Sequence, residues 1–215
     1  MENLNNFAQL KGEIMSAPTF SHTLMEEKFY VFPLKVNRLS GSYDTINITL
    51  SEKLMKICKT NEGDFVEIGG QFRSYNNYSG VGNRLILTLF AHDILHINEE
   101  DLFNNPNSII LRGYICKPTV YRTTPFGREI TDIILAVNRA YGKSDYIPCI
   151  AWGRNAKYAS CLAVGDNIEI QGRIQSREYQ KKMPNDEVVS KTAFEISVSK
   201  IDLVSDNEDT AIEDR

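Results

Sequence analysis

The sequence predicts an all-β chain of two like domains. Each is a small, partly open barrel of five strands with a helix between the third and fourth. Three observations carry that prediction. Apolar residues recur at every second position in most segments that read as ordered. The first half of the chain is answered by the second at a near-constant offset. Each half reads as strand, strand, strand, helix, strand, strand, separated by turn-rich stretches.

The repeat sets the domain count. LKGEI at 10–14 is answered by LRGYI at 111–115, each with a proline a few residues later, Pro18 and Pro118. FPLKVNRLSGSYD at 32–44 is answered by IILAVNRAYGKSD at 133–145, and GDFVEIGGQFRS at 63–74 by GDNIEIQGRIQS at 165–176. The offset is 101 for the first two blocks and 102 for the third. Blocks that match in order at one offset mark a duplication, and two copies are too few for a solenoid. The polar stretch NEEDLFNNPNS at 98–108 reads as the linker. The expected division is 1–103, 107–204, and an acidic tail at 205–215 that is expected to be disordered.

In the second copy the elements follow in order. A strand covers 108–117, a second 129–139 and a third 144–152. RNAKYASCLA at 154–163 has helical composition and neither Gly nor Pro. DNIEIQGRIQSREYQ at 166–180 alternates, with Ile168, Ile170, Gly172 and Ile174 on one face. KKMPNDE turns the chain into a last strand, TAFEISVSKIDLV at 192–204. Five strands with a helix between the third and fourth is the chain order of an OB fold.

The third strand holds the only tryptophan, in DYIPCIAWG at 145–153. Alternation puts Tyr146, Pro148, Ile150 and Trp152 on one face and Ile147, Cys149 and Ala151 on the other. The second set is a core face. The first carries two large aromatics that call for a partner. On the next strand Arg173, Arg177 and Tyr179 lie opposite the isoleucines. Cations interleaved with aromatics suit a single nucleic-acid strand, which offers phosphates and flat base faces together.

Composition bounds the rest. No run of apolar residues is long enough to span a membrane. The start, MENLNNFAQLKGE, lacks the basic and apolar regions of a signal peptide, so a cytoplasmic location is expected. Cys58, Cys116, Cys149 and Cys161 form no C-x-x-C pair and are expected reduced, without metal. The net charge of −4 argues against a polyanion until it is divided. Residues 107–204 carry 14 Lys and Arg against 10 Asp and Glu, and the excess is acidic on both sides of that segment. Regional charge decides where a polyanion docks.

LRGYICKPTVYRTTPFGREITDIILAVNR and DYIPCIAWGRNAKYASCLAVGDNIEIQGRIQSREY closely resemble the bacterial single-stranded DNA-binding protein family, over nearly all of 107–204. The first copy resembles it more weakly, through VNR and GDFVEIGGQFRS. The resemblance implies base stacking on Tyr141, Tyr146, Trp152 and Tyr179. It also implies a homodimer supplying four OB folds. Phosphates are expected on a subset of Arg112, Lys117, Arg122, Arg128, Arg139, Lys143, Arg154, Lys157, Arg173 and Arg177. The first copy is an internal control: at the repeat offsets Tyr141, Tyr146, Trp152 and Tyr179 become Ser40, Thr45, Ser51 and Asn77. Its core phase is kept through Ile46, Ile48 and Leu50, and Arg38, Arg73, Tyr75 and Tyr78 remain. The first copy therefore reads as a degenerate barrel that assembles or spaces.

Other motifs are weaker. HDILH at 92–96 has the spacing of a helical zinc site, but it continues an alternating strand whose ends lie about 13 Å apart. GVGNRL at 80–85 sits in a hairpin and is no nucleotide loop, and no catalytic set stands out. Family tails end in a short hydrophobic tip that recruits repair and replication enzymes, whereas this chain ends Asp214-Arg215. The expected function is sequence-tolerant protection of single-stranded DNA in replication, recombination and repair, without enzymatic activity or cofactor. The readings weighed against it are an OB-fold module for a replication or recombination partner, and a single-stranded RNA binder.

Overall fold

Twelve strands and two short α-helices make up the described residues of a computed structural model, and they fall into two barrels built alike. Described are residues 5–76, 85–182 and 188–204, with the side chains of 179, 181, 182 and 188–191 set aside. The two copies are OB folds, as the strand and helix order predicts. Among the described residues, contacts group Ile110–Arg173 with residues 5–6 and 196–204, and Phe7–Ile109 with Ile174–Glu195.

The first copy runs β1 (Asn6–Ile14), β2 (Thr19–Leu24), β3 (Glu27–Asn37), β4 (Tyr43–Ser51), α1 (Glu52–Cys58), β5 (Phe65–Asn76) and β6 (Leu85–His96). Strand neighbours are β2-β3-β4-β6-β5-β1, and β1 closes the barrel on β3 through Glu13↔Lys35 and Ile14↔Leu34. The β4–β6 pairing is parallel, because the chain crosses by α1 and β5 before returning. Ser51 caps α1 by accepting a hydrogen bond from the Leu54 amide at 3.2 Å. Phe32, Leu34, Val36, Ile46, Ile48, Leu50, Ile68 and Phe72 fill the core, as alternation predicts.

The second copy runs β7 (Asn107–Ile115), β8 (Val120–Thr123), β9 (Glu129–Arg139), β10 (Lys143–Trp152), α2 (Arg154–Ala159), β11 (Asn167–Lys182) and β12 (Val188–Leu203). Its neighbours are β7-β11-β12-β10-β9-β8, closed by β7 on β9. Ile133, Leu135, Val137, Ile147, Cys149, Ala151, Ile168, Ile170, Ile174 and Ile196 are buried. Thr131 ties α2 to β9 by donating to the Ala156 carbonyl at 2.7 Å.

Two features differ from the expected pattern. Each copy has a sixth short strand, β2 or β8, folded back on the next as a hairpin. These strands are exposed throughout, so no apolar alternation marks them. Helix α2 stops at Ala159, four residues short of the expected 163, in a turn where Cys161 and Leu162 donate to Tyr158 and Ala159.

The repeat explains two glycine pairs. A Cβ on Gly12 would lie 2.4 Å from the Lys35 carbonyl oxygen, and one on Gly113 would lie 2.3 Å from that of Ala136. Gly70 and Gly172 meet the carbonyls of Phe90 and Ser197 in the same way, at 2.2 and 2.4 Å. Backbone presses on backbone at these points, at barrel closure for Gly12 and Gly113 and between neighboring strands for Gly70 and Gly172, so both copies keep glycine there.

HDILH lies at the end of β6, in the strand expected of it, and His96 Nε2 is 2.7 Å from the Cys58 carbonyl oxygen. Asn77, Tyr78, most of GVGNRL, the last five residues of KKMPNDE and the acidic tail lie outside the described residues.

Candidate nucleic-acid interface

Strands β9 and β10 pair over their whole length, from Lys143↔Arg139 to Trp152↔Ile130. Residues directly opposite each other across a ladder share a face. That rule sorts the residues on the Tyr146 and Trp152 face of the second copy into rows, with Ile130 and Ser197 buried among them. One row is Tyr114, Ala136 and Tyr146, across β7, β9 and β10. Another is Arg122, Ile130 and Trp152, across β8, β9 and β10. Between them lies Val120, Asp132, Ile150 and Ser197, which reaches β12.

The aromatics differ in how open they are. Tyr146 is 51% exposed. Trp152 is half-buried, and its indole N–H donates to Ser197 Oγ at 3.2 Å, which fixes the ring. Ile150 shares their face, as alternation predicts, but is buried. Tyr141 is 99% exposed, in a one-turn bend between β9 and β10. Its backbone is left-handed, with φ of 62° and ψ of 34°, a conformation that costs a non-glycine residue energy. The Tyr179 side chain lies outside the described residues, although its backbone belongs to β11.

The cations separate into two groups. Lys117, Arg128, Lys143, Arg154, Arg173 and Arg177 are exposed. The others are engaged. Arg139 lies 3.1 Å from the fully buried carboxylate of Asp145. Arg122 donates to Asp132 through Nε at 2.7 Å and Nη2 at 3.2 Å. Lys157 pairs with Glu129 at 3.2 Å. Glu129 titrates below the usual carboxylate range because the Tyr121 hydroxyl and then Lys157 bond to its charged form. Arg112 is half-buried on β7, and its amide donates to the Asn5 carbonyl at 2.8 Å.

Two residues outside the sequence-derived set join this surface. Tyr114 shares the Tyr146 row and is 41% exposed. Phe126, at the tip of the β8–β9 hairpin beside Arg128, is 91% exposed. The TPFG turn could have flagged Phe126. Tyr114 required the register.

The first copy shows what takes the place of the missing rings. The row matching Arg122, Ile130 and Trp152 is His22, Phe29 and Ser51. Here His22 stacks on buried Phe29 with centroids 5.0 Å apart, and Phe29 lies 5.5 Å from Phe90. The Arg73 guanidinium covers Phe90 at 3.9 Å from its centroid. Burial, with Arg73 second, lowers the His92 pKa. Aromatic bulk in this copy is spent largely on its own neighbors.

Comparison with known proteins agrees with this picture. Residues 106–204 match the model of the Single-strand binding protein family. The single-stranded DNA-binding protein of Clostridium tetani is 36% identical over 83 residues, covering 35% of this chain and 57% of that protein. The single-stranded DNA-binding protein 1 of Staphylococcus aureus is 34% identical over 83 residues, covering 35% of this chain and 50% of that one. The chain thus spans about half the length of the curated relatives it matches. The crystal structure of the wild-type single-stranded DNA binding protein from Thermus aquaticus superposes with a TM-score of 0.71 at 17% identity, covering 93% of each chain, a likeness of fold. Through residues 106–204, the chain is similar to the Single-strand binding protein family.

Proposed function

We propose that the chain is a non-enzymatic, sequence-tolerant binder of single-stranded DNA that protects exposed strands in replication, recombination and repair. The observation that carries this reading is the outward face of the second copy, where Tyr146, Trp152 and the exposed Tyr141 stand among solvent-facing cations. Bases stack on Tyr141, Tyr146, Trp152 and Tyr179. Phosphates are taken first by Lys117, Arg128, Lys143, Arg154, Arg173 and Arg177. Arg122 and Lys157 bind phosphate only as their ion pairs open, and Arg139 serves chiefly to neutralize Asp145. Residues 107–204 form the binding domain, 1–103 a degenerate barrel, and 205–215 an acidic tail. The assembly is a homodimer with four OB folds, working in the cytoplasm at the nucleoid with replication and repair proteins. Among the described residues no helix is long and apolar enough to cross a membrane.

Titration with oligo-dT tests this. Trp152 fluorescence is expected to be quenched at saturation, because the lone indole would stack on a base. Each phosphate contact contributes about −0.7 to the slope of log affinity against log salt, so six contacts give about −4. An unchanged spectrum with salt-insensitive association would favor a protein partner instead, and tighter binding of oligo-U would favor RNA.

Charge removal separates the two groups of cations. Arg173→Gln is expected to shallow the slope by about 0.7 with little change in stability. Arg139→Gln is expected to lower the melting temperature, because it leaves the Asp145 carboxylate buried without its guanidinium. The paired melts and titrations check both.

A further inference from the structure

Side chains read the backbone of β11 at two alternate residues. In a strand, residues i and i+2 turn their N–H and C=O groups to the same side. Ile174 and Ser176 stand in that relation. Asn107 Nδ2 donates to the Ile174 carbonyl at 2.6 Å, and the Ile174 amide donates to Asn107 Oδ1 at 2.9 Å. Ser176 is held the same way by an ion pair. Its amide and hydroxyl donate to Asp44 Oδ1 at 2.6 and 3.0 Å, and its carbonyl accepts from Arg38 Nη2 at 2.9 Å. Arg38 Nε donates to Asp44 Oδ2 at 2.7 Å, and Nη2 donates to Oδ1. These residues belong to the unit that groups Phe7–Ile109 with Ile174–Glu195.

The energetics make this a firm anchor. Asp44 is 1% exposed, and a buried carboxylate is tolerated only when donors satisfy it. The Arg38 guanidinium and both donors of Ser176 do so. The hydrogen bond to Asp44 is the main reason the Arg38 pKa is raised. The Arg-to-Asp spacing recurs in the second copy as Arg139 and Asp145, so the pair belongs to the repeated barrel. The first copy has lost the aromatics but keeps this pair.

We propose that Arg38, Asp44 and Asn107 are positioning residues for single-strand binding: by holding Ile174 and Ser176 they aim the outer half of β11, which carries Arg177 and Tyr179. This rests on the proposed function.

The test uses the full chain with Asp44→Asn, Asn107→Ala and the arm variant Arg177→Ala/Tyr179→Ala. Asp44→Asn is expected to weaken oligo-dT binding about tenfold and to speed amide exchange at Ser176. In the arm-variant background it is expected to cause no further loss, because its effect passes through the arm. An equal loss in both backgrounds would overturn the proposal, as would unchanged affinity beside accelerated exchange. Asn107→Ala leaves the buried ion pair intact and is read through the same cycle, so the proposal stays testable if Asp44→Asn fails to fold. A wild type that does not bind oligo-dT would refute the proposed function itself, a result distinct from either.

Discussion

Replacing Tyr146 and Trp152 together by alanine is expected to weaken oligo-dT binding by about a hundredfold or more. Each base stacked on an aromatic side chain is worth about 1–3 kcal/mol, and tenfold in affinity is about 1.4 kcal/mol. The two rings stand six residues apart on β10, about 20 Å along the strand. At that separation they meet different bases, so their losses should nearly add. Anisotropy of a labeled oligomer measures the effect, and thermal melting of the same variants separates it from folding. Trp152→Ala removes one hydrogen bond to Ser197 and a half-buried ring, so some stability is lost as well. The barrel should still fold, because Ile147, Cys149 and Ala151 carry the core side of the strand. Unfolding with affinity intact at low temperature would make the rings structural and refute the platform.

Gly113→Ala is expected to destabilize the second barrel by about 3 kcal/mol. The added methyl would sit 2.3 Å from the carbonyl oxygen of Ala136, where β7 closes on β9. That neighbor is backbone within a ladder and cannot swing aside, so closure itself must loosen. For a domain of this size the melting temperature should fall by about 10 °C or more. Gly127→Ala is the control. Nothing lies within 4 Å of a Cβ there, but φ is +74°, so it should cost only about 1–2 kcal/mol of backbone strain. Equal effects of the two substitutions would show that the closure is not tight. Because β7 also presents Tyr114 in the Tyr146 row, Gly113→Ala should reduce binding as well as stability.

The tertiary structure explains why several expected phosphate ligands are unequal. Sequence supplies a cation's position but not its partner. Arg139 and Arg173 look alike in the sequence, yet one faces a buried carboxylate and the other solvent. The short strands β2 and β8 escaped notice for a similar reason. They are exposed along their length and carry no apolar rhythm.

Sequence alone established the repeat, the two OB folds, the buried phase of the longer strands and the outward direction of Tyr146 and Trp152. Those follow from the repeat and from local rules: a period of two and helix composition. Only the tertiary structure decided that Tyr114 lies in the Tyr146 row, that Ile150 is covered, that Trp152 is tied to Ser197, and that Asp44 grips Ser176. Each depends on which residues stand opposite across strands far apart in the chain. Periodicity chooses a side chain's face, but register and closure choose its neighbors.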